Sequence, residues 1–177
     1  MIYIYNKLIG DDYIMATIKT ANGTDKYFDN SSREDVINYI LRSDKIRHNL
    51  FGSNMLDICN APAIMNNTAS KFGKTTGVKL RHFIISFDPA EVSELMIAYD
   101  IAEQISAFFF SEYQTVFAVH EDKAYLHIHI VINSISYIDG HRYYGKREEF
   151  NAFKAHVRNI LKRYGVNILM YISNKNK

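Results

Sequence analysis

The stretch "HEDKAYLHIHIVIN", residues 120–133, carries three histidines, His120, His127 and His129. Side chains of an extended strand alternate between its two faces. His127 and His129 therefore project side by side, while Leu126, Ile128, Ile130 and Ile132 project to the other face. The preceding "QTVFAV" is rich in β-branched and aromatic residues and leads into His120, and "EDKAY" is a polar, turn-forming interval. A hairpin closed there brings His120 close to His127, so that three imidazoles converge. Such a cluster can hold a metal and leave coordination positions open to water or substrate, as a catalytic metal requires. A single histidine on such a strand would read as an ordinary polar residue of a wet sheet face; three at this spacing point to a metal.

The second candidate is Tyr39, one of thirteen tyrosines. On a helix through "VINYILRS", Val36, Ile37, Ile40 and Leu41 cluster on one side and Tyr39 falls roughly 130° from the centre of that stripe. Its hydroxyl points away from the core. An exposed phenol beside a histidine-held metal suits phosphoryl transfer, because the metal polarises a phosphate oxygen and eases deprotonation of the attacking group. Three other features do not carry chemistry. "GKTT" at 73–76 lacks the first glycine of a phosphate-binding loop, having Thr68 there, and precedes a strand instead of following one. Cys59, the single cysteine, reads as a small apolar residue. His82, on an apolar strand, reads as a hydrogen-bonded structural residue.

The elements that must position these groups follow from pattern. "MATIKT" at 15–20 predicts a first strand, and residues 1–14 a candidate extension outside the core, so that 15–177 form one domain. Ser31 or Ser32, with Glu34 or Asp35 three residues later, has the form of a capping box that opens a helix running to about Arg42. Residues 44–60 are poorly periodic. "APAIMNNTASKFG" predicts a helix closed by Gly73, and "KLRHFIISF" a strongly apolar strand. Pro89 is expected to open a long helix with Val92, Leu95, Met96, Tyr99, Ala102 and Ile105 on one face. After the hairpin and a turn at Asp139-Gly140 comes a helix from about Arg147 to Tyr164, ended by Gly165, and "VNILMYI" predicts a last strand. The fold class is α/β (α+β): a largely antiparallel central sheet of about five strands flanked by helices.

The chain has 177 residues, 47% hydrophobic and 14% aromatic, enough for one well-packed domain. One cysteine excludes an internal disulfide. No signal-peptide pattern opens the chain and no apolar run approaches a membrane span, which implies a cytoplasmic protein without membrane insertion. Net charge is only +2, but its distribution is uneven. The segment 82–112 has no Lys or Arg and carries Asp88, Glu91, Glu94, Asp100, Glu103 and Glu112. Basic blocks flank it, from Arg42 through Lys45, Arg47, Lys71, Lys74 and Lys79 to Arg81, and from Arg142 onward. One face for a polyanion and one for solvent fit this pattern. Arg147, Lys154, Arg158 and Lys162 recur at seven, four and four residues, along one side of the last helix, and are the candidate phosphate contacts.

His120, Asp122, His127 and His129 follow the pattern H-x-D-x-x-x-x-H-x-H and continue into "IVIN". This resembles the metal motif of plasmid and transposon mobilisation relaxases in the HUH endonuclease superfamily. "VINYILRS" resembles the first relaxase motif, which carries the nicking tyrosine, and "RHFIISF" with a following proline resembles the second. The resemblance covers roughly residues 15–170, with the motifs in the family's order. It implies an HUH-like fold and an enzyme that nicks one strand of an origin of transfer. The nicking enzyme stays joined to the new 5′ phosphate through Tyr39, with His120, His127 and His129 as metal ligands, Asp122 orienting a histidine, and Ser86 holding DNA near the nick. It further implies Mg²⁺ or Mn²⁺, although three imidazoles alone also suit Zn²⁺. The implied partners are single-stranded or hairpin origin DNA, accessory mobilisation proteins and a coupling protein. Relaxases commonly continue into further regions, so a chain stopping at Lys177 is either a minimal nuclease or part of a longer protein. Rival readings are a replication initiator, whose tyrosine would come from Tyr143, Tyr144 or Tyr164, a DNA-binding module without chemistry, and a three-histidine zinc hydrolase.

Overall fold

A computed structural model describes residues 16–21, 27–46, 48–54 and 56–169. The candidate extension 1–14, Arg47 and the far end of the expected last strand lie outside the described residues. The elements run β1 (Ala16–Thr20), α1 (Ser32–Ile40), β2 (Phe51–Asn54), α2 (Ala61–Lys71), β3 (Leu80–Ser86), α3 (Leu95–Ser106), β4 (Thr115–His120), β5 (His127–Asn133), α4 (Arg147–Arg163) and β6 (Ile168–Leu169). The sheet order is β2-β4-β5-β3-β1-β6. Five strands pair antiparallel, and the two-residue β6 adds a short parallel edge to β1.

The period-2 alternation sorts residues into two layers. Phe117 and Val119 of β4, Ile128, Ile130 and Ile132 of β5, Phe83 and Ile85 of β3, and Ala16 and Ile18 of β1 face α3 and α4. Val116, Ala118, Val131 and Leu80 face the other way, against Val36, Ile37 and Ile40 of α1 and Ala61 and Met65 of α2. Both faces are covered, which is why the central strands β4 and β5 are buried along their whole length. By parity His120, His127 and His129 belong to the α1 side. In α4 the expected stripe of Phe150, Phe153, Val157, Ile160 and Leu161 packs on the opposite side.

The structure corrects several local expectations. Pro89 opens a turn, not the helix: Asp88 accepts the Ala90 N–H on Oδ1 and the Glu91 and Val92 N–H groups on its carbonyl, and α3 begins only at Leu95. Its core face is then centred on Ala98, Ile101, Ala102 and Ile105, and Met96 lies off that stripe with 65% of its surface exposed. At α1 no capping box forms, since Ser31 has helical dihedrals and its hydroxyl makes no cap bond. The poorly periodic 44–60 contains β2, an edge strand too short to show alternation. Around "GKTT", carbonyls of Lys74 and Thr76 turn onto Arg142 and that of Thr75 onto Lys79. A ring of carbonyl oxygens is the wrong lining for a phosphate, which needs N–H groups.

Candidate metal centre and nucleophile

His120 closes β4 and His127 opens β5, and the antiparallel register sets them opposite each other. His129, two residues on, lies between Ala118 and Ile84 of the neighbouring strands. Ring centroids are 4.2 Å apart for His120 and His129, 5.2 Å for His120 and His127, and 5.1 Å for His127 and His129. One nitrogen from each ring lies within 4.8 Å of the others. The hairpin inferred from sequence thus brings the three rings together.

Their hydrogen bonds leave nitrogens for a cation. His120 Nε2 donates to the Ile40 carbonyl at 2.8 Å, one of the carbonyls left unpaired at the end of α1, and its buried Nδ1 has no partner among the described residues. His129 Nδ1 shares a 2.7 Å hydrogen bond with His82 Nε2, and its buried Nε2 likewise has none. His127 is held more loosely, with Asp122 Oδ1 at 3.5 Å from Nε2 and the Tyr125 carbonyl at 3.5 Å from Nδ1. Buried, unpaired ring nitrogens are costly, and two of them beside a third imidazole make a donor set that fits a divalent metal.

Burial also biases the rings toward the neutral form a ligand needs. Burial lowers the His120 pKa. Burial, and then the neighbouring charge of His120, brings His127 down to about 4. Burial, followed by the nearby His82, holds His129 well below the ordinary value. These groups take up protons less readily folded than unfolded, so in the metal-free protein their penalty is absent above about pH 6.5 and grows as pH falls toward 4. Urea midpoints measured from pH 7.5 down to 4.5 are expected to fall across that window, with a shallower fall in a His127→Gln variant.

His82 does more than fill the core. It packs 4.9 Å from the His129 ring, and its Nδ1 lies 3.3 Å from the Tyr27 hydroxyl, so His129 is fixed from behind by a His82–Tyr27 chain. Outer partners of this kind set the tautomer and orientation of a ligand. A His82→Ala variant is expected to lose about 10- to 100-fold in metal affinity, read by titration calorimetry, while still binding single-stranded DNA.

Tyr39 sits on the last turn of α1, 42% exposed, with its ring edge-on to His129 at 5.8 Å and His120 at 6.0 Å. The helix end whose Ile40 carbonyl fixes His120 also presents the phenol beside it. Asp122, in the β4–β5 turn, pairs with Lys45 through Oδ2. Burial opposes its ionisation, but the Lys45 hydrogen bond and charge outweigh this and keep its carboxyl below the usual range. Ser86 pairs with His127 across β3 and β5, so it lies on the same face at the same end of the sheet. Among the rival tyrosines, Tyr143 is buried against Phe109 and Tyr113 on the α4 side, Tyr164 packs against that same core and hydrogen-bonds Asp100 and Gln104, and Tyr144 is exposed beside Lys146. Arg147, Lys154, Arg158 and Lys162 ride on α4, across the sheet from the histidines, and are not gathered into the site.

The family model of a relaxase, the MobA/VirD2-like nuclease domain, matches residues 39–166, from Tyr39 to just beyond α4. The chain belongs to this relaxase family. Among similar proteins, one named "Protein rlx" from Staphylococcus aureus is 28% identical over 157 residues, 87% of this chain and 45% of its own length. A second of the same name and organism is 31% identical over 101 residues, 55% of this chain and 30% of its own. The relaxase chain therefore spans less than half the length of these curated relatives. No helix among the described residues is long and apolar enough to cross a membrane.

Proposed function

We propose that this relaxase domain nicks one strand of an origin of transfer by metal-assisted transesterification, for conjugative mobilisation of a plasmid or transposon, with Tyr39 as nucleophile. The observation that carries the reading is the half-exposed Tyr39 ring set against His120 and His129, each of which has a buried ring nitrogen without a partner among the described residues. In the reaction the Tyr39 oxygen bonds to phosphorus as the bond to the 3′ oxygen of the preceding nucleotide breaks. The phenolic proton leaves to solvent and the departing oxygen is reprotonated from solvent, giving a 5′-phosphotyrosine and a free 3′ hydroxyl. Attack by a 3′ hydroxyl reverses the step. His120, His127 and His129 would hold a divalent cation, with Mg²⁺ or Mn²⁺ proposed over Zn²⁺, and the chemistry it would supply is polarisation of the phosphate. Asp122 steadies His127, and Ser86 contacts the strand beside the nick.

Single-stranded oligonucleotides tiled across the element's transfer origin test this. One discrete cut under Mg²⁺ or Mn²⁺, suppressed by EDTA, is the expected result. Binding without cleavage under either metal would leave a DNA-binding module, and metal-dependent turnover of small phosphoesters without cutting of DNA would favour a hydrolase.

Since α4 lies across the sheet from Tyr39, the row Arg147, Lys154, Arg158 and Lys162 is proposed to touch DNA flanking the nick, not the scissile linkage. Neutralising two of them is expected to reduce the salt slope of log affinity by about 0.7 for each phosphate of the single strand that is no longer neutralised. The change should appear with a long, hairpin-bearing origin and vanish with a minimal nick-site oligonucleotide. Accessory mobilisation proteins and a coupling protein are the further partners proposed.

A further inference from the structure

We propose that Lys45 is the residue that receives the scissile phosphate and aligns it for Tyr39, a role that rests on the nicking reading above. The Lys45 ammonium lies 5.3 Å from the centroid of the Tyr39 ring and is ion-paired with Asp122, whose other oxygen approaches His127. One cation thus touches both the nucleophile and the turn between the metal-ligating strands. Lys123, the other lysine near the histidines, has its ammonium over Tyr125 instead.

The placement of Lys45 is built, not accidental. Its carbonyl accepts the Glu121 N–H at 3.0 Å, and the Leu50 carbonyl accepts the Val119 N–H at 2.8 Å. His48 pairs with Glu121 at 2.9 Å. The segment leaving α1 is therefore zipped to the end of β4, and the side chains of Lys45 and Asp122 are only 14% and 20% exposed. Holding an ion pair away from water costs desolvation. A phosphodiester entering between Tyr39 and the histidines meets in Lys45 a compact charge with three rotatable donors. An ammonium that shifts from Asp122 toward the phosphate also frees the carboxylate to hold His127. Lys45 is thus a phosphate-binding residue, and Asp122 is its resting partner.

The test uses Lys45→Met and Lys45→Arg in the whole chain. A Tyr39→Phe background in EDTA isolates binding from chemistry, and the wild-type Tyr39 background reports cleavage. After the wild-type protein has located the nick, oligonucleotides carrying either a normal phosphate or a neutral methylphosphonate at that position serve as probes. On the normal strand, Lys45→Met is expected to lower the salt slope by about 0.7, the change for one phosphate left without its cation. On the methylphosphonate strand the slopes of the two proteins should coincide. In the cleavage assay the methionine variant is expected to lose roughly 100-fold in kcat, and the arginine variant to recover most of it. A Lys45 that only staples two loops would change the thermal midpoint but neither the slope nor its dependence on the methylphosphonate. Equal slopes on both strands, or no rescue by arginine, would overturn the assignment. If the wild-type protein makes no nick, the nicking reading fails and this role with it; if it nicks and Lys45→Met binds and cuts like wild type, only the Lys45 role fails.

Discussion

Replacing Tyr39 by Phe is expected to remove the covalent protein–DNA adduct and to drop cleavage below about one thousandth of the wild-type rate, since it removes the proposed attacking oxygen. The fold should be unchanged. The ring's contacts with His120 and His129 are made edge-to-face, and α1 is anchored by Val36, Ile37 and Ile40, so the hydroxyl is not what holds the helix in place. Metal affinity and single-stranded DNA affinity are therefore expected within about twofold of wild type, a spread usual for a surface substitution. Denaturing gels of radiolabelled DNA and a calorimetric metal titration separate the two effects. An adduct persisting in Tyr39→Phe would move the nucleophile to another residue.

The second large effect is at the metal. His127→Ala is expected to lower metal-dependent nicking by at least about a hundredfold while leaving DNA affinity mostly intact, because backbone phosphate contacts supply much of binding and the metal acts on one linkage. His127 is the cleanest of the three proposed ligands to remove. Its two outer approaches are both 3.5 Å, whereas His129 is tied to His82 and His120 to the end of α1, so losing either of those also disturbs Tyr39 or the core. Without the third imidazole the remaining pair binds a divalent ion more weakly, and added Mn²⁺ at high concentration should restore part of the rate. Equal nicking by His127→Ala and wild type at low metal would remove the metal from the reaction.

The centre was readable in sequence to the degree that strand parity settles it. His127 and His129 share a face by alternation alone, and the interval "EDKAY" after His120 favours a turn that returns the chain beside it. Tyr39 was readable as exposed because the stripe Val36, Ile37, Ile40 is unambiguous at helical period. What neither pattern contains is the angle at which α1 crosses the sheet, and that angle decides whether Tyr39 meets the histidines. The Ile40 carbonyl bonded to His120 pins that end of the helix. His82 illustrates the same limit: its parity with Ser86 places it on the face of the three histidines, but its contact with His129 needs the β3–β5 register. Lys45 lies in a segment without period, and its place in the basic block from Arg42 to Arg81 marks it as a polyanion contact without singling it out from its neighbours. The α4 row marks a further limit. Its spacing is as regular as the stripe beside it, yet spacing says nothing about which side of the sheet the helix covers. Phe153, Val157 and Leu161 pack with α3 on the side away from the histidines, and the basic row goes with them.

The measurement that bears most directly on the nicking reading is mass mapping of the adduct. Wild-type protein is incubated with origin single strand and Mn²⁺, digested with nuclease and protease, and analysed by mass spectrometry. The expected result is a nucleotide phosphate carried by the peptide that contains Tyr39, together with a free 3′ hydroxyl on the released DNA. A nucleotide on a peptide containing Tyr143, Tyr144 or Tyr164, or a cut strand with no protein-linked product, would contradict it.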